Sequence, residues 1–169
     1  MTALSSTTIS GYVDTSAQWN TGNDTANFPP YSFGGAGKAD GFNLNVVMVT
    51  LEKPLDEGEW AAGYRVDLIA GPDAVGYNPS ANVGNTSDFG IKQAYVNLRV
   101  PVGNGIDLKM GVFDTIIGYE VFASGSNPNF TRSYGYTIEP TENTGLLASY
   151  KVNDIISLSA GVADTLSAG

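Results

Sequence analysis

Cysteine and histidine are both absent from the 169 residues, and lysine and arginine together number only 8 against 17 acidic side chains. Without the first two there is no disulfide, no thiolate nucleophile, no Ser–His pairing and none of the commonest zinc ligand sets. The shortage of basic residues leaves a net charge of -9, which repels a polyanion over most of the surface and excludes nucleic acid as a partner. Long apolar runs are missing too. No stretch reaches the roughly 18 to 20 residues of a membrane-spanning helix, and "MTALSSTTIS" at the start has neither the basic region nor the apolar core of a signal peptide. Helix signals are nearly absent.

Alternation is what the sequence has in abundance. Seven segments switch between apolar and polar side chains with the period of two that places successive residues on opposite faces of a strand. They are "TISGYVDTSAQW", "FNLNVVMVTLEK", "WAAGYRVDLIAG", "FGIKQAYVNLRVPV", "IDLKMGVF", "TGLLASYKV" and "IISLSAGVAD". In the second, Val46, Val47, Met48, Val49 and Thr50 run together and blur the pattern. The 21 glycines and 8 prolines fall mainly between the runs, the punctuation of an all-β chain. Connections alternate long, short, long, short, long, short, which fits an antiparallel up-and-down meander with its long loops at one end and its tight turns at the other.

Both faces of these ribbons need an environment. A soluble sandwich would bury Val96, Leu98, Ile106 and Met110 between two stacked sheets and turn a Lys- and Glu-rich face to water. Here the polar face carries Gln, Asn, Tyr, Ser and single charges that look paired, Arg65 with Asp67 and Asp107 with Lys109. Runs of about 9 to 13 residues exceed soluble strands and match a strand tilted through a bilayer. Trp19, Trp60 and Tyr150 stand near the ends of the apolar face, as an interfacial girdle requires. The alternation therefore predicts a transmembrane β-barrel, lipid outside and a watery lumen inside. Because an unpaired backbone group in hydrocarbon costs several kcal/mol, such a sheet must close on itself. Single-chain bacterial barrels use an even strand number, so seven strands ending at "DTLSAG" on the long-loop side lead us to expect residues 1–169 to be one β-barrel domain forming the N-terminal portion of a longer porin.

The pieces "LEKPLD", "YRVDL", "QAYVNL", "GVFDTIIGYE", "NPNFTRSY" and "EPTENTGLLASYKVND", taken in this order and spacing over most of the chain, resemble the OmpL-like family of outer-membrane β-barrel porins. The resemblance implies a diffusion channel in the outer membrane of Gram-negative-type bacteria, passing small hydrophilic solutes or ions, with no cofactor, no metal and no catalytic residue. Its partners would be outer-membrane lipid and the solutes themselves, with assembly into homo-oligomers open.

On that reading Asp14, Gln18, Arg65, Asp67, Gln93, Tyr95, Arg99, Asp107, Lys109 and Lys151 line the pore. The bland alternative is that they satisfy one another across strands at about 0.2 to 1 kcal/mol per pair. The connection from Asp114 to Asn143 is too long for a hairpin turn and carries Tyr119, Glu120, Arg132, Glu139 and Glu142. We expect it to fold inward and narrow the pore, where charge sets solute preference; the other arrangement is an outward lid packed on its own aromatics.

Rival chemistry is thin. A β-rich carbohydrate-binding module, soluble or surface-attached, would use Trp19, Tyr31, Tyr77 and Tyr119. "GGAGKAD" has Ala39 where a phosphate loop needs Ser or Thr. Glu139 and Glu142 imitate a glycosidase pair but flank Pro140 in a loop. Asp24, Asp40, Asp73 and Asp88 are acidic without the spacing of a Ca²⁺ loop. An enzyme is not expected, since no general base of the histidine type and no nucleophile motif is present.

Overall fold

The computed structural model describes residues 6–19, 41–75 and 87–168. They form one antiparallel sheet of seven strands in sequence order: β1 (Thr8–Gln18), β2 (Gly41–Lys53), β3 (Ala61–Ala70), β4 (Phe89–Val100), β5 (Ile106–Asp114), β6 (Pro140–Lys151) and β7 (Ser157–Ala168). Each strand pairs with its neighbours in sequence, so the topology is the expected meander. The sheet is not closed: β1 and β7 are its two edges. Strands of 9 to 13 residues span about 30 to 43 Å at 3.3 Å per residue, enough to cross a hydrocarbon layer at a tilt.

Register sorts the side chains into two faces. Ile9, Val13, Phe42, Val49, Val96, Leu98, Met110, Leu158 and Val162 are exposed on one of them. There is no second sheet over this face among the described residues, so the sandwich arrangement is not the one found. The opposite face carries Tyr12, Asp14, Thr50, Arg65, Asp67, Gln93, Tyr95, Lys109 and Ser149, joined by the pairings Tyr12↔Met48, Thr50↔Asp67, Arg65↔Tyr95 and Asp67↔Gln93.

The blurred alternation of β2 has a local cause. Asp14 pairs with Val46 but Thr15 pairs with Leu44, which leaves Asn45 as an extra residue. This β-bulge puts consecutive residues on the same side, so Asn45 and Val46 are both buried on the polar face and Met48 and Thr50 follow them there. Asn45 donates from Nδ2 to Asp14 Oδ1 (2.9 Å) and accepts from Ser16 Oγ (3.1 Å). Gly71 follows β3 at φ +122°, and a Cβ there would lie 2.9 Å from the Asn45 carbonyl oxygen; only glycine lets the chain pass so close. A second bulge in β4 buries Lys92 and Gln93 side by side.

Two boundaries that differ from expectation bear on the long connection. β5 runs one residue further, to Asp114, and β6 begins at Pro140 instead of Thr144. Residues 140–143 looked like loop because Pro140 cannot donate to a ladder, yet proline is tolerated as a strand's first residue. The long connection therefore shrinks to 115–139. It contains one short helix, α1 (Tyr134–Ile138), whose N-cap Ser133 accepts from Tyr136 N.

Candidate functional site: the polar face and the connection that covers it

Three clusters organise the polar face. In the first, Asp67 is 1% exposed and its carboxylate accepts from Thr50 Oγ1 (2.7 Å), Gln93 Nε2 (2.6 Å) and Arg65 Nε (3.0 Å). Four of these side chains come from β2, β3 and β4, brought level by register alone. Arg65 also reaches Glu52 at 3.6 Å. A buried carboxylate is tolerated only when its lone pairs are met in this way.

The second cluster lies toward the tight-turn end, where Arg99 and Asp107 are directly opposite and form a two-pronged pair at 2.7 and 2.8 Å. This corrects the expected pairing of Asp107 with Lys109. Residues two apart on one strand are farther from each other than a residue facing them across the ladder, and Arg99 takes the carboxylate. Lys109 instead places its ammonium 4.5 Å from the centre of the Tyr95 ring and 5.7 Å from that of Phe113.

The third cluster sits where β5 leaves β4. Gln93 Oε1 accepts from Asp114 N (2.9 Å), and Lys92 pairs with the Asp114 carboxylate. Glu142, placed in the connection by sequence, is instead in β6, directly across from Asp114 and buried. Among the described residues its Oε1 has no hydrogen-bond partner, nor has the hydroxyl of Tyr12.

The connection 115–139 packs on this face. Phe122 is 7% exposed and clusters with Val46 of β2, Ile69 of β3 and Ala74 of the 3-10 turn Pro72–Ala74, with Tyr12 and Met48 alongside. Lys92 stands over its ring at 5.3 Å. Arg132, also expected to present charge, is buried: Nε donates to Val121 O (3.1 Å), Nη1 to Phe130 O (2.7 Å) and Nη2 to Phe122 O (2.7 Å). Asn127 ties the same segment by accepting from Val121 N and donating to Val121 O and Ala123 O. Glu120 accepts from Ser133 N and Oγ. Tyr119 points away and is fully in the open, whereas Glu139 ends α1 beside Gly118.

Of the remaining predicted residues, Asp14 serves Asn45, Gln18 closes β1 at the long-loop end, and Lys151 pairs with Asp154 in the last turn. The aromatics fall at the two ends of the exposed apolar face. Trp19 packs edge-on against Phe42 (5.2 Å) at the long-loop end. Trp60 precedes β3 at the other, where Tyr150 also lies, its hydroxyl accepting from Asn104 N in the β4–β5 turn. Tyr31, Tyr77, Asp24, Asp40 and "GGAGKAD" lie outside the described residues. Asp73 is buried and Asp88 exposed; among the described residues no group of three acidic side chains is placed to hold a metal ion. Sequence reading missed Asn45 and Lys92 as organisers, because a bulge blurs an alternating pattern without showing which residue is the extra one.

A long meander with an exposed apolar face, aromatics at its rims and a hydrogen-bonded polar face is the arrangement of a barrel wall. The profile of the family described as putative beta-barrel porin-2, OmpL-like, matches residues 6–168. The chain belongs to this family. No curated protein and no solved structure matches it, so the OmpL-like assignment rests on the family profile and agrees with the all-β meander.

Proposed function

We propose that the polar face lines a water-filled passage through the outer membrane, along which small hydrophilic solutes or ions diffuse passively. The observation that carries this reading is the inverted distribution of side chains. Large apolar residues such as Phe42, Val13 and Val162 are exposed, while Asn45, Asp67 and Gln93 are buried. In water that arrangement is unfavourable by about 25 cal/mol per Å² of apolar surface; against lipid it is the stable one. The rows of aromatics at both ends give the wall its interfacial anchors. Tyr12 Oη and Glu142 Oε1 find no partner among the described residues, and a hydrated interior supplies one at no structural cost.

In this reading the connection 115–139, lying against the polar face, narrows the passage, with Glu120 and Glu139 on it. No chemical step is involved: wall and connection provide a route, and the gradient provides the drive. Reconstitution of the full-length protein into planar bilayers tests the proposal. Discrete conductance steps in salt are expected; a protein that inserts and leaves the bilayer silent overturns it.

A further inference from the structure

The bulge of β2 and the connection 115–139 fit one another in a way that neither explains alone. A strictly alternating β2 would send Val46 and Met48 toward the apolar face; the extra residue Asn45 turns both onto the polar one. There, with Ile69 of β3 and Ala74, they make an apolar socket on a surface otherwise built from amides, hydroxyls and charges. Phe122 fills it. The ring comes from the connection between β5 and β6, so the chain must cross the polar face from β5 to β2 to seat it.

The segment that carries the ring is held in shape by bonds of its own. Arg132 holds the carbonyls of Val121, Phe122 and Phe130 with one guanidinium, and Asn127 holds both backbone groups of Val121. The residues on either side of Phe122 thus have little freedom, and the position of the ring fixes the position of the segment. Lys92, bonded to Asp114 at the base of the connection and standing over Phe122, links anchor and base. Through these bonds Arg132 shapes the segment.

We infer that Phe122 is the positioning residue that sets the bore of the passage: seated in the Val46–Ile69–Ala74 socket, it holds the connection across the lumen, and the size limit for solutes follows from that docking. This rests on the porin reading above. The test is swelling of liposomes carrying the full-length protein in uncharged sugars of increasing size, with heat-modifiable gel migration certifying that each variant is folded. Phe122→Ala is expected to raise the size limit, so that sugars excluded by the unaltered protein enter, while Phe122→Leu, which still fills the socket, keeps the original limit. Ile69→Ala empties the socket from the wall side and is expected to raise the limit as well, with the double variant adding little to either single change. Should Phe122→Ala fail to fold, Ile69→Ala and Phe122→Leu carry the comparison. A folded Phe122→Ala or Ile69→Ala protein with an unchanged size limit overturns the inference and leaves the porin reading standing. An unaltered protein that inserts and passes no sugar or ion overturns both.

Discussion

Across β2, β3 and β4 the polar face is filled: Asn45, Val46, Thr50, Asp67, Ile69, Lys92 and Gln93 are all buried. On β7 the same face carries Ser157, Ser159, Gly161 and Ala163, every one exposed. The two regions belong to one sheet, have similar strand lengths and share the same alternation. What separates them is the connection 115–139, whose Phe122 reaches the socket between β2 and β3. Where it docks, the face behaves as a protein interior, with saturated hydrogen bonds and a close-packed ring. On β7 the face keeps small and hydroxylated side chains. Burial over β2 and β3 is thus completed by a loop from another part of the chain, while β7 lies at the edge of the sheet.

If that difference is real, substitutions should cost most in the filled region. Asp67→Ala removes the acceptor shared by Thr50, Gln93 and Arg65 and is expected to destabilise the folded protein by about 3–5 kcal/mol, as breaking a buried pair does. Urea unfolding in micelles, followed through Trp19 and Trp60, measures it; a loss below about 1 kcal/mol would place Asp67 outside the stability of the sheet. Arg132→Ala comes next. It strips three backbone carbonyls of their donor, at about 1–3 kcal/mol for each buried group left unpaired. The cost should fall on the connection: limited proteolysis is expected to cut within 119–133 while the strands stay intact. Cleavage spread evenly along the chain would contradict a locally shaped segment.

The exposed regions should respond weakly. Arg99→Ala breaks a well-formed pair with Asp107, but at a partly exposed position near the tight turns, and a change of at most about 1 kcal/mol is expected in the same urea experiment. Ser159→Ala removes an exposed hydroxyl contact with Ser149 (2.9 Å) and should stay within about 0.5 kcal/mol. A large effect at Ser159 would mean that β7 is covered in the native protein as β2 is, and would dissolve the contrast.

Much of the fold was legible from residue order. Alternation located the seven strands, and the lengths of the connections gave the meander. The faces of β1, β3 and β5 followed from counting by twos. What escaped depends on pairings between strands. Asn45 and Lys92 sit in bulges that exist only relative to the partner strand, so the run Val46–Thr50 could be seen as irregular but not explained. Arg99 takes Asp107 because of register across a turn, a relation that spacing along β5 does not contain. Glu142 looked like a loop residue since Pro140 was read as a break instead of a strand's first position. The aromatic and charged content of the long connection did mark it as more than a surface tip, but which of its residues presents itself and which is consumed internally, Tyr119 against Arg132, is decided by folding.

The extra residue at Asn45 has an implication for anyone altering this wall. Deleting it would restore perfect alternation to β2 with Val46 and Met48 still on the polar face, since Leu44 and Val47 already hold the other one and side chains alternate with period two. The strand would look improved by every rule of pattern, and Asp14 and Ser16 would lose the amide that ties them together.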